Sequence, residues 1–580
     1  MRLKVSRSKN AASFYVTKTV YENKKEKTII VEKLGTEAEL REKLNGADPY
    51  EWAKKYIEEL NRKEKEQTRK VLVPFGQSQL IDKGIQRSFN GGYLFLQKIY
   101  HELKLDTICK DISQKYKFDF DLNSILSRLI YGRIIYPSSK LATYELSKKF
   151  IEQPDFDLHQ IYRALEVLAK ESDFIQSALY KNSMKVSKRN TGVLFFDCTN
   201  YFFEIEQEEG KKQYGPSKDH KPNPIVQMGM FMDGDGIPLA FSINRGNINE
   251  QLTLKPLEKK ILSDFELSKF VVCTDAGLAS EDNRRFNNIA GRSFITTQSI
   301  KKLKNHLKGW ALDTNGWKLP GSDKTYDIST LDEIIDKTTE EEKAKIISRV
   351  YYKERWIKEN DFEQRLIVTY SIKYKDYQRK VRNSQIERAQ KLIDNSPKSI
   401  EKCRQNDYKR FIHKTACTAD GEVADKKIYS IDNDTILQEE AFDGFYGVCT
   451  SLEDDASEII KINQRRWEIE ECFRIMKSEF KARPVYLKND DRIEAHFITC
   501  FISLIIYRLL EKRLKEEFTC REIISGLRDM EFFEIKGEGY VPTYTRSDFT
   551  DALHDTFGFR TDYEIVSTQN MKKIFKYTKS

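Results

Sequence analysis

The chain has 580 residues, 33% charged and 39% hydrophobic, with a formal net charge of +9 at pH 7 and an isoelectric point near 8.7. That is a soluble globular balance, long enough for two to four domains with substantial cores and basic enough to suit a polyanionic partner. Nine cysteines without a CxxC pair and only seven histidines disfavour a disulfide framework, a structural zinc site and multi-histidine chemistry, so the chain reads as intracellular and reduced.

The start, MRLKVSRSKNAASFYV, lacks the apolar stretch of a signal peptide. SFYVTKTVY and KTIIVEKLG alternate as two strands around the polar turn ENKKEK, predicting a hairpin, and a charged helix follows from Pro49 to about Arg69. These form a first region, 1–70. Residues 71–190 read as helical. Within them LIYGRIIYPSSKLATYELSKKF predicts a helix that ends before Pro137 and restarts at Ser138 or Ser139 as N-cap. With Arg133 and Lys140 flanking the turn, this is either a DNA-reading unit or an ordinary packing hairpin.

At Thr191 the texture changes. TGVLFFDCTNYFFEIE predicts a buried strand ended by Asp197 and then a second strand; PIVQMGMFMDGDGIPLAFSIN gives two strands about a Gly-Asp-Gly turn. Gln251–Leu262 reads as a helix, KFVVCTDAG as a buried strand ending in Asp275, Glu281–Ala290 as a helix and SFITT as a strand. Residues 191–297 are thus a first α/β core segment. Residues 298–440, with strands RVYYKERWIK and EQRLIVTYSIKY around the basic helix YQRKVRNSQIERAQKLI, read as a β-rich insertion. Residues 441–515 return to the core, from strand DGFYGVCTSL through a charged helix. The apolar run from Phe497 to Leu510, broken by Thr499, Ser503 and Arg508, is expected to be a buried core helix rather than a membrane span. A less regular region, 516–580, closes the chain.

The charged helix contains NQRRWEIEECFRIMK. At 100° per residue, Asn463, Arg466, Glu470, Arg474 and Lys477 form one stripe, hemmed by Ile462, Ile469, Phe473 and Phe480 on one side and by Ile460 and Trp467 on the other. Lys461, Arg465, Glu468 and Glu479 form a separate solvent face, so Glu470 is expected to be partly buried. A desolvated carboxylate must be paired, protonated or metal-bound. Two readings stand: an Arg466–Glu470 ion pair, or a metal ligand with cations beside it. Taken with Asp197 and Asp275, Glu470 points to an all-oxygen site for Mg²⁺, or Mn²⁺ in its place. Two such ions would activate a hydroxyl nucleophile and stabilise the leaving oxygen at phosphorus, with Arg466 and Lys477 holding phosphate oxygens.

Asp197, Asp275 and Glu470, with Arg466 and Lys477 at the Arg-x3-Glu-x6-Lys spacing, resemble the bacterial insertion-sequence DDE transposases, in particular the YREK-signature branch. Trp467 and Ile469 fit that branch's Arg-Trp-x-Ile-Glu core, whereas Asn463 stands where the branch has Tyr. YPSSKLATYE, YGPSKDHKPNP and RGNINE are similar to three further segments of the family, and Lys218, His220 and Lys221 in the second of these are candidate DNA-phosphate contacts, with an exposed loop as the alternative. The resemblance implies an RNase H-like catalytic core interrupted by the β-rich insertion, with residues 71–190 binding DNA ends. It implies a metal-dependent enzyme, with Asp197, Asp275 and Glu470 as ligands of two ions, that cuts its element's terminal inverted repeats and joins them to target DNA. It further implies a homodimer on DNA, no membrane partner, and a cytoplasmic, nucleoid-associated location. Trp310, Trp317 and Trp356 are candidates for stacking on a flipped base, and Arg379, Lys380, Arg382, Arg388 and Lys391 for lining a phosphate backbone. Two alternatives remain: a nuclease of the same fold without strand transfer, and a transposase-derived DNA-binding protein without catalysis.

Overall fold

The computed structural model describes residues 1–8, 11–22, 25–44, 47–68, 70–73, 75–395, 407–417 and 423–580, so the centre of the ENKKEK turn lies outside the described residues. The chain divides into two compact units, Met1–Ile85 with Ile535–Glu538, and Gln86–Glu534 with Gly539–Ser580.

In the first unit the expected hairpin, β2 (Ala11–Glu22) and β3 (Lys25–Thr36), gains a third antiparallel strand, β1 (Arg2–Ser8), beside β2. Leu3 and Val5 alternate towards the cluster around Phe14, and that packing recruits the extra strand. Helices α1 (Glu37–Lys43) and α2 (Pro49–Thr68) complete the unit, α1 starting from a Thr36–Glu39 capping box.

The second unit begins with β4 (Ser88–Asn90) and six helices, α3 (Tyr93–Glu102), α4 (Leu105–Lys115), α5 (Leu122–Ile135), α6 (Lys140–Ser147), α7 (Leu158–Lys170) and α8 (Ser172–Val186). Ser139 caps α6 as expected. Strands β5 (Val193–Phe202), β6 (Ile225–Asp233) and β7 (Pro238–Arg245) follow, then α9 (Leu254–Asp264), β8 (Val271–Thr274), α10 (Glu281–Phe286) and β9 (Ser293–Gln298). Next come α11 (Asn305–Leu312), β10 (Trp317–Lys318), β11 (Thr325–Tyr326), α12 (Leu331–Asp336), α13 (Glu340–Ser348), β12 (Tyr351–Glu359), β13 (Phe362–Tyr370), α14 (Ile372–Asn395), β14 (Ile412–Cys417), β15 (Val423–Ile431) and α15 (Asn433–Glu440). The chain then forms β16 (Phe445–Thr450), α16 (Ala456–Gln464), α17 (Trp467–Arg474) and α18 (Asp490–Arg513). It ends in α19 (Cys520–Asp529), β17 (Glu531–Ile535), β18 (Gly539–Pro542), α20 (Asp548–Phe557), β19 (Val566–Ser567) and α21 (Thr568–Thr578), more regular than the sequence led us to expect.

Ten strands make one mixed sheet in the order β11-β10-β12-β13-β16-β9-β8-β5-β6-β7. β5, β6 and β7 are antiparallel neighbours, whereas β5, β8 and β9 run parallel. Among the described residues, the segment expected to be a β-rich insertion carries five α-helices, and four of its strands extend this same sheet. In β13 seven consecutive residues, Gln364–Tyr370, are buried, so both faces of the strand are covered, and β12 and β16 pair with its two edges.

Alternation along β5 divides the two faces. Phe195 and Tyr201 join the large core of the helical layer, while Leu194, Phe196 and Cys198 pack with Leu254, Leu257 and Ile261 of α9. The centre of the helical layer is α18, long and apolar enough by length and composition to cross a membrane, yet 94% of its apolar window is buried within the protein. It is the expected core helix. Arg133 and Lys140 are also buried, at 4% and 5% exposure, so the α5–α6 turn does not present them as a surface that reads a DNA groove.

Candidate active site

Asp197 does not end its strand: β5 continues to Phe202, and Asp197 lies mid-strand opposite Met230 of β6. Continued pairing to β6, as far as Phe202 with Ile225, is what carries the strand through the acid. Phe195 is in register with Cys273 on the parallel neighbour β8. Asp197 and Asp275 each follow that pair by two residues, so they stand side by side where β8 ends. Asp197 shares the face of Phe195 and Tyr201, on which α17 packs.

Burial pushes the Asp197 carboxyl up to about 6, Asp275 adds to the rise, and Lys218, the Cys198 N–H and Arg466 offset it only in part. The Cys198 N–H donates to Asp197 Oδ1 at 2.7 Å, and the Leu278 N–H to Asp275 Oδ1 at 3.0 Å. Two carboxylates thus share a site with too little positive charge around them.

The helix carrying Glu470 differs from the expected continuous one. α16 stops at Gln464, a turn takes Arg465 and Arg466, and α17 passes into a π-turn at Ile475–Glu479, closed by the Phe480 N–H donating to Ile475 O at 2.9 Å. The break resets the phase of the stripe. Glu468, expected on the solvent face, is buried and accepts from Arg465 Nε at 2.9 Å, with Arg508 also in ion-pair range at 3.7 Å. Glu470, expected to be hemmed in, has a side chain 57% exposed, 3.4 Å from Arg466. The ion-pair reading is therefore realised.

That pair is only part of what surrounds Arg466. Burial acts against its charge, but Tyr446, Glu470, Asp197 and Asp275 together hold its pKa up. One guanidinium stands in the field of all three acids, and its buried Nε has no hydrogen-bond partner among the described residues. Asn463, at the position where the resemblance expects Tyr, is buried; its amide donates to the Tyr446 hydroxyl at 3.1 Å and accepts from the Cys273 thiol at 3.7 Å. Arg466 and Glu470 line a cleft of about 680 Å³ with Trp467, Tyr374, Tyr377 and Tyr446. Of the aromatics singled out in the sequence, Trp317 is fully buried with its N–H donating to Asp313 O at 2.9 Å, Trp310 lies beside Lys353 and Arg355, and Trp356 is 45% exposed. In the basic helix α14, Arg382 is likewise buried, held by both oxygens of Asp443 at 2.7 and 2.6 Å.

The loop between β5 and β6 brings Lys218 to the acids. Its ammonium donates to Cys198 O at 2.5 Å and pairs with Glu250 at 3.2 Å; burial opposes its charge, but Asp197 and Glu250 outweigh burial and raise its pKa. His220 and Lys221 lie further along, where both backbone N–H groups donate to Ser217, and Lys221 sits 5.7 Å from the Phe202 ring. Lys477, in the π-turn, is lowered to about 8 by burial, with Arg483 and Lys218 lowering it further against Asp219 and Asp197. Sequence reasoning missed Tyr446, Asp219 and Arg483. Arg483 and Asp219 form an ion pair between elements remote in sequence, and Tyr446 comes from β16; Asp219 lies inside the YGPSKDHKPNP segment, but no local pattern marks Arg483 or Tyr446.

Among the described residues no three His, Cys, Asp or Glu side chains gather closely enough to hold a metal ion. The donor chemistry nonetheless fits a hard divalent cation: two adjacent carboxylates, one raised by burial and by its neighbour, and a third acid in the field of the same guanidinium.

The sequence model of one protein family, described as Transposase DDE domain, matches residues 193–506. Comparison with curated proteins gives no match. A cryo-EM structure of the piggyBac transposase synaptic complex with hairpin DNA is similar at 8% identity, covering 85% of this chain and 88% of that chain, with a TM-score of 0.34, too low to assign the place of any residue.

Proposed function

Because the chain belongs to the transposase DDE-domain family, we propose that it is the transposase of an insertion element, binding the element's ends and catalysing metal-dependent DNA cleavage and strand transfer. The observation that carries this is the arrangement of Asp197 and Asp275 side by side on parallel strands, with Arg466 in the field of both and of Glu470.

In this reading β7-β6-β5-β8-β9, three antiparallel strands followed by two parallel ones, are an RNase H-like core, and Asp197, Asp275 and Glu470 are the residues that would hold a pair of Mg²⁺ or Mn²⁺ ions. Such ions, when bound, supply Lewis-acid activation of a water or 3′-hydroxyl and of the leaving oxygen. The chain's own residues do the rest. Lys218, fixed by Cys198 O and Glu250, presents positive charge beside Asp197 to a nonbridging phosphate oxygen. Lys477 adds a second cation, and Arg466, now paired with Glu470, would be the guanidinium available to a phosphate oxygen were the acids to hold the ions. Arg466, Glu470 and Lys477 at their spacing favour the bacterial YREK branch. The reading includes end binding by 71–190, His220 and Lys221 on the DNA backbone, a homodimer on DNA, and a cytoplasmic, nucleoid-associated setting.

The exposed, ion-paired Glu470 favours one competing reading, a DNA-binding descendant without catalysis. Incubating the protein with Mg²⁺, DNA carrying the sequences that flank its gene and a target plasmid separates the possibilities. Joined products are expected. Nicks without joining would identify a nuclease, and binding without nicking under Mg²⁺ or Mn²⁺ would identify the non-catalytic descendant.

A further inference from the structure

A second basic site lies outside the carboxylate centre. A cavity of about 330 Å³ opens between the N-terminus of α6 and the segment 481–487, lined by Arg133, Lys140, Lys481, Arg483 and His496, and among the described residues no acidic side chain lines it. Lys140 is 5% exposed and Arg133 4%.

Burying a cation is costly unless a carboxylate accompanies it. Arg133 is only partly satisfied: its two terminal nitrogens donate to Phe480 O at 3.0 Å and Ser138 O at 3.2 Å, while its buried Nε has no partner among the described residues. Around Lys140, burial and then Arg133 lower the ammonium to about 7, with Cys500 acting in opposition. His496 is held neutral by burial and by the same two cations, its Nε2 meeting Ala482 O at 3.2 Å. Three groups that carry or take up positive charge therefore converge with nothing negative between them. The first turn of α6 adds to this. Ser139 Oγ accepts from the Ala142 N–H and Ser139 O from the Thr143 N–H, leaving the Lys140 and Leu141 N–H groups as first-turn donors at the cavity wall.

We propose that this cavity is a phosphate-binding site, taking one phosphate group through Lys140, Arg133 and the α6 N-terminus, with Arg483 at its rim. A tetrahedral oxyanion supplies the several acceptors these donors lack, and it supplies the missing charge. Tyr486, 62% exposed on the rim, offers a face for the sugar or base next to that phosphate. Arg483 also pairs with Asp219 and lies in the field of Lys477, so a strand held at the carboxylates has a cationic path to the cavity. The site itself stands on its own geometry; that the phosphate belongs to DNA rests on the transposase reading.

The test uses the full-length protein free of divalent metal. Its melting temperature is followed against inorganic phosphate, with chloride at matched ionic strength as control, for wild type, K140M and the surface variant K481Q. Duplex-DNA affinity is followed against salt for the same proteins. Phosphate is expected to raise the wild-type melting temperature, K140M to lose that rise and K481Q to lessen it. In the DNA arm, K140M is expected to reduce the slope of log affinity against log salt by about one. A lost phosphate response with an unchanged slope assigns the site to free phosphate, and a reduced slope assigns it to the DNA backbone. Equal phosphate responses in all three proteins together with equal slopes would overturn the site. Neither readout involves cleavage, so a failure of the catalytic reading would leave both in place.

Discussion

Asp197 is ionised against its surroundings. Its pKa of about 6 in the folded chain lies above the ordinary 3.8, raised by burial and then Asp275, so its penalty is absent below pH 3.8, grows through the interval and is complete above pH 6. At pH 7.5 without divalent metal, D197N is therefore expected to be more stable than wild type, by up to about 3 kcal/mol in urea unfolding; a loss of stability would make Asp197 structural. Lys477 titrates in the opposite sense. It loses its charge as pH rises through about 8, amid Asp219, Arg483, Lys218 and Asp197, so DNA affinity should fall between pH 8 and 9.5 and K477R should flatten that fall; parallel profiles would remove Lys477 from the phosphate contacts. The strands that carry or lead to Asp197 and Asp275 were legible, because short apolar runs ending in or containing Asp stand out. The orientation of Glu470 was not. The turn at Arg465–Arg466 shifts the helix phase, exchanging the environments of Glu468 and Glu470, and no wheel drawn through 459–480 registers it.

At the scale of elements, two loops meet behind the site. A Cβ on Gly215 would stand 2.0 Å from Gly246 O, and one on Gly246 would stand 2.2 Å from Ile225 O and 2.4 Å from Gln213 O. This close backbone approach brings YGPSK against RGN and lets Lys218 reach Glu250. G246A should cost about 1–3 kcal/mol in chemical denaturation, the range of overpacking; an unchanged midpoint would mean that the loops part without strain. Both segments were visible in the sequence. Their meeting depends on the register of β6 and β7, Val226 opposite Arg245, which is a non-local property.

The whole second unit is organised by α18. Arg508 on it donates to Gly236 O at 2.9 Å in the β6–β7 turn and pairs with Glu511 and with Glu468 of α17, which ties the helical layer, the sheet and the helix of Glu470 together. R508A takes the paired cation from largely buried Glu511, which keeps the Tyr507 hydroxyl, while Glu468 keeps Arg465; the change should cost about 3 kcal/mol, and a loss under about 1 kcal/mol would show the network to be dispensable. That α18 is a core helix was legible from its apolar length. The ten-strand order was not, since β9, β16 and β13 pair across an intervening segment whose periodicity looked self-contained. The central claim is that Asp197, Asp275 and Glu470 form one metal-dependent phosphoryl-transfer centre. Single-turnover cleavage of end-bearing DNA in Mg²⁺ by wild type, D197N, D275N and E470Q tests it most directly. Each variant is expected to lose about a hundred- to a thousandfold in rate, the scale of losing a catalytic electrostatic group, while binding the DNA as wild type does; cleavage by E470Q at the wild-type rate would contradict it.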